Sequence, residues 1–182
     1  NQLGSTPADD EEQRSLRDKA NVALGYAALQ DSRPADARTA LQRVRLTSLH
    51  ANKALLGFGW AAASMKDPKA ALVPWTELAQ RNGSDAAALE ARIAVPYAYA
   101  ELGANGQALQ RYEEAIAAFE REDAALDDSI AAVRSGKLLQ SLDGANTGVE
   151  MGWFWQLRDV PQLPHPEHLN NVLAEHAFQE SF

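Results

Sequence analysis

Residues 24–44 read LGYAALQDSRPADARTALQRV, and residues 58–78 read FGWAAASMKDPKAALVPWTEL. Set one under the other, 34 positions apart, the two stretches keep the same order of small and large side chains. Leu24-Gly25, Ala28, Ala37, Leu41 and Val44 in the first correspond to Phe58-Gly59, Ala62, Ala71, Trp75 and Leu78 in the second, and Pro34 to Pro68. From Glu11 to Gln30, Leu16, Ala20, Ala23, Leu24 and Ala27 recur three and four apart, the period of an amphipathic helix. Asp31-Ser32-Arg33 breaks that period, and Pro34 opens the next helix, because a first-turn proline forfeits no hydrogen bond. On that second helix Ala37, Ala40, Leu41 and Val44 share a face. Two helices joined by so few residues form an antiparallel hairpin.

A third copy follows at an offset of 37, with Val95, Pro96, Tyr99, Ala108, Tyr112 and Ala115. The three extra residues fall in the polar turn Arg81-Asn82-Gly83-Ser84-Asp85, where an insertion costs little. The pattern has a simple physical meaning: glycine or alanine lets two helices approach, and the large residue opposite fills the space. On these residues the chain resembles the tetratricopeptide repeat (TPR) family, over about Asp18 to Glu122.

The resemblance implies an all-α fold, a right-handed superhelix of three helical hairpins over residues 13–122. It also implies a concave face lined by the first helix of each hairpin. Carried onto this sequence, the second repeat position gives Lys19, Lys53 and Glu90, the fifth Val22, Leu56 and Ile93, and the ninth Tyr26, Trp60 and Tyr97. Three aromatics at one groove position suit a peptide or an inserted helix. They equally suit packing against a neighbouring helix or the chain's own C-terminal segment. The carboxylate clamp with which some TPR proteins take chaperone tails is not matched, since Val22 and Tyr26 hold its basic and amide positions.

Four residues depart from the family pattern. Asn21 and Arg92 stand where a large residue is expected early in the first helix. Pro96 replaces the glycine of the other copies, and Pro74 lies inside a second helix. Interior prolines remove a hydrogen bond and kink a helix, so bends are expected in copies two and three.

The flanks read differently. Residues 1–12 form a polar, acidic lead-in. Residues 123–142 form an amphipathic capping helix with Leu126, Ile130, Val133, Leu138 and Leu142 apolar. In residues 143–182 come a loop, the cluster Trp153-Phe154-Trp155, a proline-spaced link, and a last helix from about Glu167. The start at Asn1 rather than Met is read as the mark of a processed or trimmed product.

Composition narrows the function further. With 17 Lys and Arg against 25 Asp and Glu, the net charge of -8 repels a phosphate backbone, so nucleic acid is not the expected partner. The absence of cysteine removes disulfides, thiolate nucleophiles and zinc–thiolate sites. No apolar run approaches the roughly 20 residues of a membrane helix. His168 and His176 are eight residues apart, about 12 Å along a helix, too far for direct ligands of one ion, and no metal or other cofactor is expected. No Gly-x-Ser-x-Gly elbow occurs. The glycines of Gly103-Ala104-Asn105-Gly106 lack the lysine of a phosphate loop. The expected function is a non-enzymatic scaffold for a protein or peptide partner, in a bacterial envelope or periplasmic assembly, with the cytoplasm as the alternative. The second functional reading is a non-catalytic domain of a larger enzyme or secretion machine.

Overall fold

The computed structural model of the chain describes residues 10–81, 85–137 and 164–169, whose regular structure is all helical, without strands. Six α-helices follow one another: α1 Glu11–Gln30, α2 Pro34–Leu41, α3 Ala51–Ser64, α4 Pro68–Ala79, α5 Ala86–Glu101 and α6 Asn105–Arg134. A 3-10 turn, Pro166–Leu169, follows. Two compact units divide the chain, Asn1–Ala117 and Ala118–Phe182.

The helix starts are set by local chemistry. Asp10 accepts from the Gln13 N–H at 2.7 Å, and Glu11 and Glu12 place negative charge at the positive end of the α1 dipole. Pro34 and Pro68 sit in the first turns of α2 and α4. Asp67 accepts from Ala70 N at 2.9 Å, and Asp85 accepts from Ala87 and Ala88. The tight turns ending α1 and α3 place Ser32 and Lys66 at positive φ, 58° and 63°.

In the first unit each helix packs on the next from α1 to α5, and α1, α3 and α5 also touch in sequence along one side. The small/large pairs account for this closeness. A Cβ on Gly25 would run into the Leu41 side chain, and one on Gly59 into the Trp75 indole. Trp75 is completely buried and donates its N–H to Leu56 O at 3.1 Å, back on α3. Ala37 and Ala71 are likewise fully buried, and Ala108 nearly so. The third copy departs: Pro96 is buried, but Tyr112, at the position of Leu41 and Trp75, is 37% exposed.

Two sequence expectations need correction. The second helix of the first hairpin stops at Leu41, and Val44 is buried from the turn that follows it. That turn is held by Arg45, whose Nε donates to the buried Asp18 at 2.8 Å and whose Nη1 donates to Glu11 at 2.9 Å. The capping helix expected from residue 123 is not separate, because α6 runs unbroken from Asn105 to Arg134. Nothing in Glu120-Arg121-Glu122-Asp123-Ala124-Ala125 stops a helix: the stretch holds neither glycine nor proline. The interior prolines Pro74 and Pro96 are both buried within helices that continue through them. The lead-in before Asp10, Leu138, Leu142, the Trp153-Phe154-Trp155 cluster and the helix expected beyond Leu169 lie outside the described residues.

Candidate functional site

Five of the nine residues carried over to the groove converge. Val22 and Tyr26 on α1, Lys53 and Leu56 on α3 and Glu90 on α5 line one pocket of about 390 Å³, together with Ala23, Ala86 and Ala87. The period explains the convergence, since equivalent positions on α1, α3 and α5 come side by side once those helices touch. Leu56 is buried and forms the floor; Lys53 and Glu90 are exposed and bring opposite charges to the rim. Ala86 and Ala87 carry no groove signal of their own in the sequence, being small residues in the first turn of α5.

The aromatic row is anchored by its polar atoms. Tyr26 donates its hydroxyl to Lys53 O at 3.0 Å, and Trp60 donates its indole N–H to Glu90 Oε1 at 2.8 Å. Trp60 meets the buried Trp75 edge-on, ring centroids 4.8 Å apart, and Tyr97 at 6.0 Å in a tilted arrangement. With hydroxyl and N–H satisfied internally, the two rings are held in place. Burial, and then the Glu90 charge, push the Tyr26 phenol up to about 12. Ile93 is 48% exposed and Tyr97 38%, so α5 presents the open end of the row. Lys19 is exposed and does not line the pocket.

A second concavity of about 990 Å³ lies on the side of α2 and α4, with Leu46, Val73, Pro74 and Phe58 in its walls. Val73 is 73% exposed, and the Arg38 guanidinium lies 5.4 Å from the centre of the Phe58 ring.

In the second unit the fold brings His168 to two residues of α6 that are far from it in sequence. His168 Nδ1 lies 2.8 Å from Ser129 Oγ, and His168 Nε2 lies 2.8 Å from Glu122 Oε1. The residue types are those of an acyl-transfer triad, and the two contacts tie the Pro166–Leu169 turn to α6. Ser129 is only 4% exposed, and its hydroxyl hydrogen-bonds the Ala125 carbonyl one helical turn earlier at 3.0 Å. No group of three acidic or histidine side chains among the described residues could hold a metal ion. No helix among them is long and apolar enough to cross a membrane.

Compared with known proteins, the chain matches no family model, no curated protein and no solved structure.

Proposed function

We propose that the first unit is a tetratricopeptide-type array, coiled as a right-handed superhelix, whose first helices take a peptide or helix of a protein partner. The observation that carries this reading is the meeting of Val22, Tyr26, Lys53, Leu56 and Glu90 in one pocket, from three copies of one repeat position pattern. The close pairs Gly25–Leu41 and Gly59–Trp75 support the repeat, and the exposed Ile93 and Tyr97 extend the surface along α5. An apolar floor with a lysine and a glutamate at its rim suits an amphipathic segment carrying both charges. The chain then acts as a non-enzymatic scaffold.

Capture from extracts of the source cell tests the proposal, using the wild type, Ile93→Asp, Tyr97→Asp and the off-groove control Val73→Asp. The groove reading expects the captured partner to be lost with the first two and kept with the control. Loss with Val73→Asp alone would move recognition to the α2–α4 side and refute it.

A further inference from the structure

Arg92 stands where the second copy has Leu55, and nothing in the groove uses it. The arginine is half-buried and its Nε is wholly buried, with neither a hydrogen bond nor an ion pair to it among the described residues. A guanidinium N–H removed from water without an acceptor is costly, and an apolar residue at this position would avoid the cost. Arg92 also borders a pocket of about 360 Å³ between α4, α5 and α6, within the first unit and apart from the groove.

The charges around this pocket define what it would accept. Its other arginine, Arg111, is already paired, donating to Glu114 Oε2 at 2.7 Å. Gln110 occupies the other carboxylate oxygen of Glu114 at 2.9 Å. One unmatched positive charge remains, on Arg92. A monoanion balances it, whereas a second negative charge would meet Glu114. The planar fork of a guanidinium matches a carboxylate through two parallel N–H···O bonds. Val95 and Tyr99 give the same pocket apolar wall, and its volume is at the small end for ligand sites.

We propose that this pocket binds a monocarboxylate with a compact apolar body, its carboxylate on Arg92. The proposal is independent of the groove. The carboxylate can come from a free small acid or from the end of a short peptide, and the two sources are separable.

The test is calorimetric titration of the full chain with benzoate, its neutral isostere benzamide, inorganic phosphate, and acetyl-alanyl-phenylalanine as free acid and as amide. Saturable binding of benzoate, without binding of benzamide, is expected. Arg92→Lys should weaken it roughly tenfold by losing the fork. Arg92→Leu should abolish it while melting at or above the wild-type temperature, which separates lost binding from lost folding. Binding of the free-acid dipeptide but not of benzoate or the amide would support the carboxylate site and assign it to peptide ends. Equal response to benzoate and benzamide, undiminished benzoate binding by Arg92→Leu, tighter binding of phosphate, or no binding of either acid would overturn the proposal.

Discussion

The Trp60 indole donates to Glu90 at 2.8 Å, and this bond joins α3 to α5 beside the groove. The same ring rests edge-on against the buried Trp75 and is itself only partly buried, so Trp60 belongs partly to the core and partly to the surface. Trp60→Ala should therefore cost about 2 kcal/mol, between a surface change and the roughly 3–5 kcal/mol of a fully buried tryptophan. Glu90→Ala should cost about 1 kcal/mol through the lost hydrogen bond. Denaturant unfolding of both variants checks the order. A Trp60→Ala cost below that of Glu90→Ala would contradict this packing.

Two glycine replacements should act in opposite directions. A Cβ on Gly59 would collide with Trp75, so Gly59→Ala should destabilise by about 1–3 kcal/mol despite alanine's better helix propensity. At Gly106, in the first turn of α6, a Cβ would meet nothing within 4 Å, and Gly106→Ala should stabilise by about 0.5 kcal/mol. Ala37→Leu and Ala71→Leu should fall with Gly59→Ala, because both alanines are fully buried. Thermal melts of the set provide the measurement.

Asp18 is completely buried against Arg45, which also holds the exposed Glu11. Asp18→Asn should cost about 3 kcal/mol, the low end for breaking such a pair, because Arg45 keeps Glu11 and some water. The Arg45 hydrogen bond, aided by the charges of Arg45 and Arg14, holds Glu11 below its ordinary 4.5. A lowered carboxylate stabilises the fold above its unfolded-state value and ceases to do so as pH falls through the folded-state value. The melting difference between wild type and Glu11→Gln should accordingly shrink as the pH drops below about 4.5.

Tyr26 supplies a test at the other end of the scale. Its phenol is pushed from 10.0 up to about 12, first by burial and then by Glu90. Ionisation is easier in the unfolded chain, so stability should decline as the pH rises above 10.0 towards that value. Ultraviolet titration should show a late phenol transition that is absent in Tyr26→Phe. Glu90→Gln should lower its transition.

How much of this was legible beforehand depends on sequence distance. The hairpins and the pairs Gly25–Leu41 and Gly59–Trp75 were readable because a repeat prints the same order of small and large residues again at a fixed offset. The same offset brings five of the nine carried-over positions to one pocket, with Leu56 as its floor, while Lys19, Trp60, Ile93 and Tyr97 lie outside its lining. The length of α6 was obscured because a fading repeat was read as a helix boundary, while helix continuity depends on local chemistry alone. The ties Asp18–Arg45 and Glu122–His168 leave no periodic trace, being formed once between residues 27 and 46 positions apart. Arg92 stood out as a departure, but only packing could reveal a pocket beside it with Arg111 already neutralised.

The groove itself is tested most directly by site-specific photocrosslinking in the source cell. A benzophenone amino acid is placed at Ile93, beside Tyr97, or at Val73 on the α2–α4 side, and the products are identified by mass spectrometry. A discrete protein adduct is expected from position 93, diminished by Tyr97→Asp, and none of that adduct from position 73. An adduct formed at position 73 and not at 93 would contradict it.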